Sequence, residues 1–306
     1  MKYIPLGKSE LQVPAIAVGC MSIGDKSPTE AEALVQSALE MGCNFFEHAD
    51  IYGAGRCERM FADAIHMSPS VREKIILQSK CGIVPGKMYD FSKEHILTSV
   101  DGILSRLKTD YLDVLALHRP DALLEPEEVA EAFDILQTSG KVRNFGVSNH
   151  KSAQIRLLEK YINQPIVCNQ LQFSLTNAGM IQSGMEVNMT TPGAADRDDS
   201  ILDFCRLNDI TIQTWSPFRY GFFEGIFIGS DKYPELNQVL NELAEKYEVS
   251  ATTIAAAWIL RHPAKMQLVS GTTKASRLAE IVKATEITLT REEWYRLYLA
   301  AGHMLP

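Results

Sequence analysis

The sequence predicts an α/β chain folded as a single (β/α)8 TIM barrel with an N-terminal β-hairpin. Three observations carry this: eight short apolar runs span the whole chain, helical-period stretches alternate with them, and 306 residues suit one barrel. In chain order, "KYIPLGKSELQVP" reads as a hairpin turning near Gly7 and Lys8, within residues 1–14, placed to plug the barrel bottom. The barrel strands are then "AIAVGC" (15–20), "CNFFE" (43–47), "KIILQSK" (74–80), "LDVLALH" (112–118), "VRNFGVS" (142–148), "IVCNQ" (166–170), "ITIQTW" (210–215) and "MQLVS" (266–270). Helices between them carry their own punctuation. "SPTEAEALVQSALEMG" offers Ser27 as cap before Pro28 and stops at Gly42, and "EPEEVAEAFDILQTSG" stops at Gly140. Strands alternating with helices imply a parallel sheet, and eight such units favour closure over an open sheet. Two connections are long, 171–209 and 216–265, on the side where barrels build active sites.

Composition narrows the function classes. With 46% hydrophobic and 22% charged residues the chain has the make-up of a globular protein, and its net charge of -8 argues against nucleic-acid and anionic-membrane partners. No run of 18 apolar residues occurs, and six cysteines without C-x-x-C spacing are expected to be thiols in a reducing compartment, so the expected location is cytoplasmic. "NMT" at Asn188 is a sequon without a secretory signal and has no consequence. His48, His66, His95, His150, His262 and His303 show no metal-ligand spacing, so no metal is expected. "GAGRCE" after Tyr52 has Glu58 where a dinucleotide fingerprint needs glycine, and Pro120 breaks the kinase-like "HRPD".

Polar and aromatic residues stand at or just past the strand ends: Glu47 and Tyr52, Lys80, His118, Ser148 and Asn149, Gln170, Trp215, and "SGTTKASR" from Ser270. In "FFEHADIYG", "SKCG", "LALHRPD", "GKVRNFGVSN", "NQLQFS", "TWSPF" and "GTTKASRLAE", over essentially its full length, the chain resembles the aldo-keto reductase family. The resemblance implies a barrel that binds NADPH without a Rossmann fold and reduces carbonyl groups of small molecules. It places the catalytic tetrad on Glu47, Tyr52, Lys80 and His118. The chemistry agrees with those residue types. Hydride delivery to a carbonyl carbon puts negative charge on its oxygen, which calls for a proton donor and electrostatic stabilisation there. Tyr52 is the expected donor, with Lys80 as the cation that lowers its pKa and His118 as the group that orients the carbonyl.

Two acids, Glu47 and Asp50, flank the tyrosine. The family acid lies five residues before the tyrosine and is ordinarily aspartate, so Glu47 is a departure by one methylene, on the order of 1.3 Å. Alternation puts Cys43, Phe45 and Glu47 on one strand face, and Asp50 falls in the turn, where aspartate forms side chain to backbone bonds. Glu47 is therefore expected to pair with Lys80 and to act on Tyr52 through it.

On the cofactor side the resemblance assigns Ser148, Asn149 and Gln170 to the nicotinamide carboxamide and Trp215 to stacking on the ring, with Ser216, Pro217 and Phe218 following as the family's "SPF". As a residue alone, Trp215 suits a core aromatic equally well. Gly271, Thr272 and Thr273 precede a helix, where backbone N–H groups can meet an anion. Arg277 matches the arginine near the 2′-phosphate and Glu280 the acid near the adenine, which favours NADPH over NADH. Some branches carry lysine where Gly271 stands, and Lys274 is either its substitute or an exposed helix lysine. Two other functions fit parts of the pattern: an NADPH-binding regulatory module without turnover, kept open by Glu47, and an aldolase-like barrel using Lys80 for a Schiff base.

Overall fold

The computed structural model describes residues 1–306. Eight parallel strands close into a barrel: β1 Ile16–Gly19, β2 Phe45–Glu47, β3 Ile76–Cys81, β4 Leu112–Leu117, β5 Val142–Ser148, β6 Ile166–Gln172, β7 Thr211–Trp215 and β8 Gln267–Ser270. Each pairs with its sequence neighbours, and β8 returns to β1 through Leu268 to Ser270 against Ile16 to Val18. These runs are buried on both faces, as parallel strands covered by helices must be. Every expected strand is present, with adjusted ends. Strand β2 starts at Phe45 because the Cys43 amide still closes the preceding helix, donating to Ala38 O at 2.8 Å.

The first helix, Pro28–Glu40, begins with a reciprocal cap: Glu30 N donates to Ser27 Oγ at 3.3 Å, and Ser27 N donates to the Glu30 carboxylate at 3.0 Å. The chain leaves it through Gly42 at φ 81°, a left-handed conformation that glycine adopts without steric cost.

The hairpin pairs Tyr3–Pro5 with Gln12–Pro14 and closes the barrel bottom. Its Ile4, Leu6 and Val13 pack on Ala17, Phe45, Ile76 and Val114. Along β3 the inward series Ile76, Gln78, Lys80 climbs from this apolar floor through an amide layer to the site. In that layer Gln78 and Gln213 exchange bonds of 2.8 Å, Gln213 Nε2 also donates to Gln267 Oε1 at 2.8 Å, and Gln267 Nε2 donates to Pro14 O at 2.9 Å. The layer satisfies its own amides, so it costs little to bury.

The connection after β6 holds the short helices Gly179–Met185 and Ile201–Leu207. The one after β7 differs from a continuous long loop. Only its first part overhangs the barrel mouth, with a small hairpin pairing Arg219–Tyr220 and Gly225–Ile226, and helices Pro234–Lys246 and Ala251–Leu260 then form outer wall. A further small hairpin, Ile83–Val84 with Met88–Tyr89, follows β3. No helix is long and apolar enough to cross a membrane.

Candidate active site

Beyond β2 the chain keeps to the edge of β3: His48 N donates to Gln78 O at 2.8 Å and Asp50 N to Lys80 O at 3.0 Å. It then turns through Tyr52–Gly55, with Gly53, Ala54 and Gly55 at φ 56°, 54° and 81°. This turn swings Tyr52 back over the strand end. Its hydroxyl donates to Glu47 Oε1 at 3.2 Å. Lys80 Nζ forms an ion pair with the same oxygen and also donates to His48 O at 2.9 Å. Gln170 Nε2 reaches that oxygen as a third donor at 3.3 Å. One carboxylate oxygen therefore gathers three groups from three strand ends.

The ion pair expected between Glu47 and Lys80 is formed, and Asp50 takes no part in it. Asp50 is held by its backbone to Lys80 O, while its carboxyl faces Glu58 and Arg106, and burial and Glu58 push its pKa up to about 7. Two expectations are corrected. Glu47 acts on Tyr52 by direct contact as well as through the lysine, because the turn brings the phenol back to the strand end. The phenol is not lowered overall: although Lys80 Nζ lies 4.9 Å from the ring centroid, burial, reinforced by Cys20 and Cys57, holds Tyr52 above its ordinary pKa. Burial lowers Lys80 itself, and contact with the Glu47 carboxylate opposes that loss of charge.

His118 stands just past β4 with its ring 6.1 Å from that of Tyr52, edge to face. Burial, with Lys80 and Arg119 adding to it, drives its pKa down to about 2. It is a neutral imidazole, and its buried Nδ1 has no partner. Room for the long acid comes from β1. Gly19 pairs with Glu47 in register, and a Cβ there would stand 3.2 Å from Glu47 Oε2.

Above this cluster lies a cavity of about 550 Å³ that runs from Tyr52 and His118 to Arg277. Ser148, Asn149, Gln170, Trp215, Ser216, Pro217, Phe218, Gly271, Thr272, Thr273 and Arg277 all line it, as does Glu47. Two expected residues do not. Lys80 is fully buried behind Glu47, and Glu280 is engaged by Ser250 Oγ at 3.0 Å. Four of the expected cofactor residues are held by mutual bonds: Trp215 Nε1 donates to Asn149 Oδ1 at 3.0 Å, Asn149 Nδ2 to Ser148 Oγ at 2.8 Å, and Ser148 Oγ to Gln170 O at 3.1 Å. Phe223, at the tip of the overhanging hairpin, stacks on Trp215 with ring centroids 5.8 Å apart.

The other end of the cavity suits an anion. Helix Ala275–Lys283 starts there with Lys274 as cap residue and no side chain closing its first turn. Its amide end is left open beside Arg277. Ser270 lines the cavity while its Oγ is buried without a partner, and nothing lies within 4 Å of a Cβ at Gly271. These residues fit an elongated cofactor with a flat amide-bearing ring at one end and phosphate at the other. Sequence reasoning missed Gly19 and Arg119 as cavity residues, whereas Phe222 and Phe223 lie in "FRYGFFEGIF" (218–227), aromatic enough in sequence either to cover a cofactor or apolar substrate or to form a packed loop. Arg119 had the same signal as its neighbour His118, a position just past a strand end.

A sequence model described as the Aldo/keto reductase family matches residues 15–298. The chain is 35% identical to "Uncharacterized oxidoreductase YcsN" of Bacillus subtilis (strain 168), covering 100% of both chains. It is 32% identical to a "6-dehydroglucose reductase" of Novosphingobium aromaticivorans, over 98% of this chain and 96% of that one. Among solved structures it resembles a thermostable aldo-keto reductase, Tm1743, in complex with the inhibitor epalrestat. That likeness has a TM-score of 0.77 at 28% identity, covering 98% of this chain and 100% of the other.

Proposed function

Because the chain belongs to the aldo/keto reductase family, we propose that it reduces an aldehyde or ketone to the alcohol with NADPH, using Tyr52 as proton donor. The observation that carries this reading is the convergence of Tyr52, Lys80 and Gln170 on Glu47 Oε1, directly under a cavity that ends at Arg277. NADPH, when bound, supplies a hydride to the carbonyl carbon. Ser148, Asn149, Gln170 and Trp215 would hold its carboxamide end, and Gly271 to Thr273 with Arg277 its phosphates.

The residues divide the remaining work. As the carbonyl becomes an alkoxide, His118 donates a hydrogen bond to its oxygen from a neutral ring, which stabilises developing charge without competing for the proton. Tyr52 gives its proton to that oxygen and is reprotonated from solvent. The raised phenol pKa keeps Tyr52 protonated at rest, and Lys80 is the charge within reach to stabilise the phenolate once the proton has left. Glu47 holds Lys80 in place for this, and its own bond to the phenol is the one exchanged for the substrate oxygen. A Schiff base on Lys80 is disfavoured by the fully buried amine, which substrate cannot reach. Six buried free thiols support the reducing, cytoplasmic setting expected from the sequence.

Trp215 gives the direct readout. NADPH is expected to quench its fluorescence at lower concentration than NADH does, and a panel of aldehydes and ketones is expected to oxidise the bound cofactor. Tight binding with no turnover on any carbonyl would overturn the enzymatic reading, and equal affinity for NADH the assignment of Arg277.

A further inference from the structure

Four cations line the cavity: Arg119, Arg219, Lys274 and Arg277. None of them takes part in an ion pair. The one carboxylate in the lining, Glu47, is neutralised by Lys80. In a chain of net charge -8 this excess of positive charge in one cleft runs against composition. Lys274 and Arg277 flank the helix end assigned above to phosphate, and Arg219 lies on its own hairpin, 5.4 Å from the Phe223 ring. Arg119 is left without a role, and it stands at the opposite, reacting end.

Its position is specific. It follows His118, contributes to holding that imidazole neutral, and places its guanidinium carbon 5.9 Å from the Trp215 ring centroid. The acid nearest in sequence, Asp121, is committed elsewhere, accepting from Phe91 N at 3.0 Å and Leu123 N at 2.9 Å. Apart from the Trp215 ring, this partly buried guanidinium has no ion-pair or hydrogen-bond partner to offset its lost hydration, and its planar fork suits a carboxylate. Resting on the carbonyl-reductase reading, we propose that Arg119 is a specificity residue for a substrate that carries a carboxylate as well as its aldehyde or ketone. The carboxylate pairs with Arg119 while the carbonyl oxygen lies between Tyr52 and His118. Phe222, Phe223 and Ile83 give the apolar walls for the carbon frame between them.

The test compares 4-carboxybenzaldehyde with its neutral methyl ester, by kcat/KM with NADPH, in the wild type, Arg119→Gln and Arg119→Lys. The wild type is expected to prefer the acid by at least about tenfold, the worth of one charge-assisted hydrogen bond. Arg119→Gln is expected to bring that ratio close to one, mainly by raising KM for the acid, and Arg119→Lys to keep part of the preference because charge remains without the fork. A wild-type ratio near one, or a ratio unchanged in Arg119→Gln, would overturn the assignment while leaving the reductase reading standing. Failure of the wild type to oxidise NADPH with either aldehyde would overturn the assignment, and the reductase reading falls with it when no carbonyl of the wider panel is turned over.

Discussion

Glu47 serves three donors with one oxygen, and Gly19 gives it the space to do so. A methyl at Gly19 would stand 3.1 Å from Val269 Cγ1 and 3.2 Å from Glu47 Oε2. Gly19→Ala is therefore expected to shift the carboxylate and lower kcat about tenfold, since misplacement of about 1 Å costs on the order of 10²-fold. Glu47→Asp, shorter by one methylene, is expected to retain or raise turnover alone and to rescue Gly19→Ala. Additive losses in the double variant would refute the coupling. Asp50 carries a second residue-scale prediction. Its folded pKa of about 7 lies above the ordinary carboxyl value of 3.8, so between those values the folded state holds a proton that the unfolded state has lost. Stability from this group is thus present at low pH and lost as pH rises toward 7. Asp50→Asn is expected to stabilise the protein by roughly 2 kcal/mol at pH 8 and by nothing near pH 4, read from urea midpoints. An equal effect at both values would contradict it. Glu47, Lys80 and His118 stood out in the sequence because each ends an apolar run, while Tyr52, five residues past Glu47, was singled out by the family resemblance. The bond from Tyr52 to Glu47 was not legible there, because it depends on left-handed backbone at Ala54 as well as at two glycines.

Among the elements, the N-terminal hairpin separates stability from activity. Thr211 Oγ1 accepts from Gly7 N at 2.8 Å and donates to Pro5 O at 3.1 Å, tying the turn to the start of β7. Gly7 has φ 53°, and a Cβ there would stand 2.3 Å from Val167 O. Gly7→Ala should therefore cost about 2 kcal/mol or more and lower Tm by about 5 °C, with kcat/KM at low temperature unchanged because the site lies at the other end. A fall in kcat/KM with Tm intact would place the hairpin in the catalytic account instead. This hairpin and the eight strands were legible from apolar runs and turn glycines. The small hairpins at Ile83–Tyr89 and Arg219–Ile226 were not, since two-residue strands give alternation no length to register.

At the scale of the whole molecule, the barrel brings eight strand ends separated by more than 200 residues of sequence to one face, so that Glu47 and Arg277 line a single cavity. Sequence supplied the identity of that face, but not its charge balance. The unpaired cations stand out only when the side chains that could neutralise them are seen bonded elsewhere, as Asp121 is to backbone amides and Glu280 to Ser250. The central claim, that the Tyr52 proton completes carbonyl reduction above the Glu47 to Lys80 pair, is tested most directly by single-turnover oxidation of bound NADPH. With an aldehyde in excess, Tyr52→Phe should bind NADPH as the wild type does and oxidise it at least about 10²-fold more slowly, the typical contribution of a positioned general acid. Equal oxidation rates in Tyr52→Phe and wild type would contradict the account.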